Sequence, residues 1–202
     1  MKKCIVVLVF LAFIVAMTGC NLNPSSENGA TELQKMYNQL DELSALNYKK
    51  IKLNITSTTG NANLSANYIL TENTISYSIE QLNKLSTDKD LNGLSPEYKT
   101  TLVGTAKVVN GEITEFDGDS VSLPAYSEIA GNFNFTSTNF KNTVIEENSL
   151  RASVISPSEF YGSDVTVENM KVEVVYNSTT LIKITITYKT EHSSVVATYE
   201  FE

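Results

Sequence analysis

Asp117 and Asp119, separated by Gly118 and preceded by Glu112 and Glu115, are acidic side chains whose spacing could hold a cation. Calcium takes about six to eight oxygen ligands. Residues 120–123 do not supply the further ligands that an EF-hand loop needs. Aspartates in a turn commonly accept hydrogen bonds from nearby backbone instead. We therefore predict a hairpin turn here and no metal site.

The residues that most often perform acid–base catalysis are poorly placed in this chain. His192 is the sole histidine and has only Glu191 beside it. Glu146 and Glu147 are consecutive, so on a strand they would point to opposite faces and could not work as a hydrolytic pair. We predict that His192 is a solvated turn residue, that there are no catalytic residues, and that the chain is not an enzyme.

Cysteine occurs only at Cys4 and Cys20, and both lie near the N-terminus. Lys2 and Lys3 precede the apolar run 5–16, and small residues then lead to Cys20. A basic start, a short apolar segment and a small-residue site form the layout of a secretory signal. The apolar run is shorter than the roughly 20 residues that cross a bilayer. We therefore predict a signal peptide over residues 1–19.

The tetrapeptide Met17-Thr18-Gly19-Cys20 resembles the lipobox of bacterial lipoproteins, although Met17 stands where leucine is usual. The resemblance implies that Cys20 becomes the mature N-terminus and that its thiol carries a diacylglyceryl group. Two acyl chains anchor a protein stably, whereas one binds only marginally. The implied location is the extracytoplasmic face of the cell membrane. Because Cys4 would be removed, no internal disulfide, thiol catalysis or cysteine metal site is expected.

Charge and motifs exclude several classes of partner. The 202-residue chain has a net charge of −8, and without Lys2 and Lys3 its 13 basic residues face 23 acidic ones, a net charge of −10. Nucleic acid and anionic lipid heads repel such a surface. No glycine-rich loop joins a strand to a helix, which is the pattern of nucleotide sites. We predict no cofactor and no nucleic-acid partner.

Hydrophobic periodicity divides the mature chain into a tether and one α+β domain. Residues 20–30 are small and polar, typical of a flexible spacer. Residues 31–46 carry apolar side chains at helical spacing, with Thr31 as N-cap and Gln34 completing a capping box. From Tyr48 onward, apolar and polar residues alternate, which predicts strands. The predicted domain is 31–202.

The predicted strands form two meanders, one in the first half of the domain and one at its C-terminal end, with similar strand lengths and alternation. Asn110-Gly111 is a strong hairpin signal, and Ser156-Pro157 is typical of a short capped helix. Phe133, Phe135 and Phe140 are expected in the core or in a pocket. The remaining segments are predicted strands, in and around residues 51–55, 64–70, 75–79, 100–109, 112–116, 143–155, 170–176, 180–189 and 194–201.

We predict one curved antiparallel sheet of about eight to ten strands with the N-terminal helix on its concave face. This layout resembles the half-open barrels of lipid-carrier lipoproteins, a likeness of element order that transfers no binding residue. A β-sandwich or a cystatin-like sheet is the alternative fold. The expected function is a non-catalytic binding module for an apolar ligand or a partner protein. A structural surface lipoprotein without a cavity, or a carboxylate-dependent hydrolase, is the alternative.

Overall fold

The computed structural model describes residues 27–60, 62–84, 97–119 and 121–202. The described strands are all antiparallel and belong to one sheet. Their bounds are β1 Lys50–Thr59, β2 Ala62–Thr71, β3 Thr74–Lys84, β4 Glu97–Val109, β5 Glu112–Gly118, β6 Phe140–Glu146, β7 Ser149–Val154, β8 Glu168–Tyr176, β9 Leu181–Lys189 and β10 Ser194–Phe201.

The sheet consists of two five-stranded meanders joined along a single seam. The strand order is β5-β4-β3-β2-β1-β10-β9-β8-β7-β6, so the first and last strands in the chain lie side by side. Ile51 pairs with Phe201 and Thr58 with Ser194 along this seam. The prediction of one antiparallel sheet of about eight to ten strands is confirmed. The sandwich alternative is wrong for the described residues, because their ten strands form one sheet and not two.

One face of the sheet is buried, as the alternating sequence predicts. Leu53 of β1 lies opposite Tyr68 of β2 and Tyr199 of β10, and all three are buried. Asn54, the next residue, lies between Asn67 and Thr198 on the exposed face. Burying one such aliphatic side chain contributes about 1.5–3 kcal/mol. The period-two pattern therefore fixes both the register and the side on which the core forms.

A helix, α1, covers part of the buried face. It spans Glu27–Ser44 and buries its predicted apolar stripe, Met36, Tyr37, Leu40 and Leu43. The helix begins at Glu27 and not at the predicted Thr31. The predicted capping box is wrong for the same reason: Gln34 lies inside the helix, donates to Asn38 and accepts a hydrogen bond from Ser137.

Two short helices lie in the connections that cover the rest of this face. Helix α2 spans Tyr126–Ala130, and helix α3 spans Pro157–Tyr161. Proline begins α3 as predicted, but the Ser156 side chain forms no capping hydrogen bond. A 3₁₀ turn at Ser137–Asn139 precedes β6.

Aromatic rings fill the space between α1, α3 and the sheet. Phe133 stacks on Phe160 with ring centroids 4.8 Å apart, and Tyr37 stacks on Phe140 at 5.0 Å. Phe135 meets Phe160 edge to face at 5.7 Å. We call this group, with Tyr161 and Tyr199, the aromatic cluster. The prediction that Phe133, Phe135 and Phe140 supply core or pocket surface is confirmed, because all three are buried in the core.

The predicted signal peptide, the proposed lipidation site Cys20 and most of the predicted tether lie outside the described residues. Residues 27–30, assigned to the tether by sequence, belong to α1. Among the described helices, none combines the length and the apolar character that crossing a bilayer requires.

Candidate binding cleft at the end of helix α1

An open cleft of about 1080 Å³ lies where α1 ends and β1 begins. Its walls come from the last turn of α1, the residues leading into β1, the β2–β3 turn, α2 and the segment after α2. Residues from all of these elements line it, among them Asp41, Asn47, Tyr48, Glu72, Tyr126 and Asn132. The lining combines amides, carboxylates, tyrosine rings and aliphatic groups. We call this feature the cleft.

The last turn of α1 forms one wall and is fixed to the segment after α2 by polar contacts. The Phe135 amide donates to an Asp41 carboxylate oxygen at 3.1 Å. The buried Ser44 hydroxyl lies 3.0 Å from the Phe133 carbonyl oxygen. Because this segment pairs with no strand, these two side chains supply hydrogen-bonding partners that the sheet does not provide. The wall is therefore held in one position.

Tyr48 connects three elements at the base of the cleft. Its hydroxyl donates at 2.9 Å to the Leu43 carbonyl at the end of α1, which also accepts a hydrogen bond from the Leu46 amide at 3.3 Å. The same oxygen accepts a hydrogen bond from the Leu181 amide at 2.9 Å. The ring packs on Phe201 with centroids 4.7 Å apart. Tyr48 therefore presents a fixed aromatic surface.

The opposite wall comes from α2 and from two turns. Tyr126 lies against the β4–β5 turn, where a Cβ added to Gly111 would be 3.6 Å from the Tyr126 ring. Asn110 and Gly111 both have positive φ, at 53° and 78°, which matches the predicted hairpin turn. The β2–β3 turn, which carries Glu72, is held by a 2.8 Å hydrogen bond from the Val108 amide to the Asn73 carbonyl.

The charges in the cleft are nearly balanced. Asp41 and Glu72 line it together with Lys49. Asp41 already accepts a hydrogen bond from the Phe135 amide, so its role is to fix the wall of the cleft. The side chains of Asn47, Glu72 and Asn132 are exposed and form no hydrogen bond to another residue that the structure describes. These three polar groups can therefore bind a ligand.

The aspartates that suggested a cation site have structural roles. Asp119 accepts a hydrogen bond from the Val103 amide at 2.9 Å through its carboxylate, and its carbonyl accepts from the Tyr77 hydroxyl. Asp117 lies within β5 opposite Thr105, so the hairpin turn predicted at these aspartates is wrong: the strand continues to Gly118. Among the described residues, no three His, Cys, Asp or Glu side chains lie close enough together to hold a metal ion.

The other candidate residues also lie away from the cleft. His192 is in the exposed β9–β10 turn, as predicted, with Nε2 3.8 Å from Glu191. Glu146 ends β6 and lies 3.5 Å from an Arg151 nitrogen. Glu147 lies in the following turn and not on a strand, so the assumption that it lies on a strand beside Glu146 is wrong.

Three tyrosines near α2, the buried Tyr199 and the partly buried Tyr161 and Tyr188, remain protonated at neutral pH. Burial raises the pKa of Tyr199 well above its ordinary value, and it also raises the pKa of Tyr161 and Tyr188. The negative charge of Glu128 adds to each shift. The Tyr199 hydroxyl donates to the Glu128 carbonyl at 2.9 Å, which fastens α2 to β10. Tyr199 therefore supports the α2 wall of the cleft as a neutral hydrogen-bond donor.

Sequence reasoning missed the cleft and a second stripe on α1. Gln34, Tyr37, Asp41 and Ser44 follow helical spacing, and each forms a hydrogen bond with residues 133–143. This spacing is visible in the sequence, but only Tyr37 is apolar enough to be counted as core. The polar members of the stripe could have been found by testing polar residues for helical periodicity.

No protein-family model matches this chain, and no curated protein shows significant similarity to it. The geometry of the cleft is therefore the basis for any functional conclusion.

Proposed function

We propose that this chain is a membrane-anchored extracytoplasmic lipoprotein that acts as a non-catalytic binding module. Its ligand or protein partner would occupy the cleft. The observation that carries the proposal is an open cleft whose walls are fixed by hydrogen bonds while three exposed polar side chains remain available. Clefts with aromatic surface and a few converging polar groups are the usual form of binding sites.

The position of the cleft on α1 agrees with an N-terminal anchor. The cleft opens at the C-terminal end of α1, and the proposed lipid on Cys20 precedes the N-terminal end. An 18-residue helix is about 27 Å long at about 1.5 Å per residue. The anchor and the cleft would therefore be separated by the full helix.

The finer form of the fold belongs to the same proposal. We propose that the sheet curves around α1 in the manner of the half-barrel lipid-carrier lipoproteins. In this protein the aromatic cluster occupies the face of the sheet where such a barrel would hold acyl chains. Its rings, including Phe135 and Phe160, are almost fully buried. The packed cluster favours the cleft over the sheet interior as the place of binding.

The lipid anchor can be tested by metabolic labelling. The full-length chain, expressed in a bacterium, is expected to incorporate labelled palmitate and to enter the detergent phase of an extract. The Cys20→Ser variant should do neither, because it lacks the thiol that accepts the lipid. Labelling that persists in Cys20→Ser, or wild-type protein that stays in the aqueous phase, would remove the anchor from the proposal.

The binding role can be tested with a variant that fills the cleft. Asn132→Trp places a large ring at its wall, and Asn38→Trp makes the same exchange at an exposed position of α1 outside it. Native mass spectrometry of gently purified lipidated protein is expected to show a bound ligand in wild type and in Asn38→Trp only. A photo-crosslinker at position 132, with position 38 as control, detects a protein partner in the same way. A chain that captures neither would favour a purely structural surface lipoprotein.

A further inference from the structure

We infer that the cleft recognises a neutral saccharide. This inference depends on the proposed binding function and specifies the class of its ligand. Three features support it: polar side chains suited to hydroxyl groups, fixed aromatic rings beside them, and nearly balanced charge.

The available polar groups come from three separate elements and face one space. Asn47 follows α1, Glu72 is in the β2–β3 turn, and Asn132 follows α2. An amide offers a donor and an acceptor side by side, and a carboxylate offers two acceptors. Neighbouring hydroxyls of a sugar ring both donate and accept, so these planar groups can bind them in pairs. Three such groups around a cleft can fix the orientation of a polyhydroxyl ring.

The aromatic rings provide the apolar part of the same surface. Tyr48 is held by Phe201 and by two hydrogen bonds, and the Tyr126 ring lies beside the turn at Gly111. A tyrosine ring offers apolar area at low conformational-entropy cost. The C–H face of a pyranose is apolar and packs well on such a ring. The cleft therefore offers polar groups for the hydroxyls of a sugar and aromatic rings for its apolar C–H face.

Other ligand classes fit the cleft less well. An apolar ligand would cover Asn47 and Asn132 without giving them hydrogen-bond partners, which costs roughly 1–3 kcal/mol for each buried amide. A strongly anionic ligand would meet Asp41 and Glu72 with only Lys49 to balance them. Tight binding of an anion would need an excess of positively charged side chains in the cleft. A neutral polyhydroxyl ligand avoids both costs.

Saturation-transfer NMR on the full-length lipidated protein in nanodiscs tests this inference. The probes are cellotetraose, maltotetraose, xylotetraose and chitotetraose, each added separately. We expect saturation of the ring protons of at least one probe. The signal should be lost in Asn132→Trp and retained in Asn38→Trp. Tyr126→Ala, which removes a ring without filling the cleft, should weaken it, and thermal denaturation checks that each variant is folded.

The possible outcomes separate this inference from the proposed function. Absence of transfer to all four sugars overturns the saccharide assignment. Transfer that persists in a folded Asn132→Trp variant also overturns it, because the sugar then binds elsewhere. If the sugars fail while a neutral tetrapeptide probe binds wild type and not Asn132→Trp, the saccharide class is wrong and the binding cleft stands. If Asn132→Trp has no effect on any ligand or partner of the native protein, the proposed function itself fails.

Discussion

The aromatic cluster and the cleft lie along the same helix but have opposite properties. In the cluster, Phe160 is fully buried and its ring meets those of Phe133 and Phe140. In the cleft, Asn47 and Asn132 are exposed. Packed rings stabilise the fold and leave no polar group for a ligand. The cleft keeps polar groups available, because other side chains, such as Asp41 and Ser44, form the hydrogen bonds that fix its walls. The difference shows that a packed region and an open, polar region adjoin the same helix.

The largest effect we expect is unfolding at alkaline pH, and it comes from two tyrosines of the cluster together with Tyr188. Burial raises the pKa of Tyr199, Tyr161 and Tyr188 above the value of about 10 that unfolded tyrosine has. The stabilisation from these groups is fully present below about pH 10 and is lost as pH rises towards their folded-state pKa values. Denaturation followed against pH, with tyrosinate absorbance, should show ionisation coupled to unfolding. The Tyr199→Phe variant should lose stability less steeply with pH, and an unchanged slope would contradict this assignment.

The second prediction compares the loss of stability caused by one substitution in the aromatic cluster and one in the cleft. Phe160→Ala should lower the free energy of unfolding by about 3–5 kcal/mol, because it removes a large buried ring and leaves a cavity. Asn132→Ala should change it by no more than about 0.5 kcal/mol, as is usual for an exposed side chain. Urea denaturation measures both values. Similar losses in the two variants would show that the cleft is part of the stabilising core.

A smaller effect is expected at the boundary between the two regions. Gly131 ends α2 with a φ of 68°, and an added Cβ would lie 3.2 Å from the Tyr199 ring and 3.3 Å from Phe201. Gly131→Ala should cost about 1–2 kcal/mol for the left-handed backbone, with additional cost from crowding. Thermal denaturation tests this prediction. Ala130→Gly is the adjacent control, and it should cost less than Gly131→Ala if the left-handed backbone is the cause.

The smallest effect is expected at the exposed side chains of the seam between the meanders, beside the cleft. Glu202 forms ion pairs with Lys50 at 3.0 Å and with Lys52, which lower the pKa of its carboxyl group. Glu202→Gln should reduce the melting temperature slightly at low salt, and added salt should diminish the difference, because exposed ion pairs are screened. Their contribution is present at neutral pH and is lost as pH falls through the lowered pKa. A large, salt-independent loss would contradict this prediction, because screened ion pairs could not account for it.

Much of the fold could be predicted from local pattern, and the cleft could not. Alternation around Leu53 and Ile184 predicts the strands, because a half-buried strand needs an apolar residue at every second position. The start of α1 was placed too late, since Thr31 and Gln34 match a capping signal that the structure does not use. Asn47, Glu72 and Asn132 are ordinary turn residues in sequence. They line one cleft only because three separate connections meet at the same place.

The sequence by itself determined the strands and the buried side of the sheet, and it predicts a lipid anchor at Cys20. These depend on neighbours in the chain, through the period of the hydrophobic pattern and through a contiguous N-terminal segment. Only the tertiary structure decided that β1 pairs with β10 and that α1 ends above the β2–β3 turn. Pairing between distant strands is selected by the combined burial of both meanders, which no local window contains. The cleft is a consequence of that pairing, and so is the chemistry it can offer to a ligand.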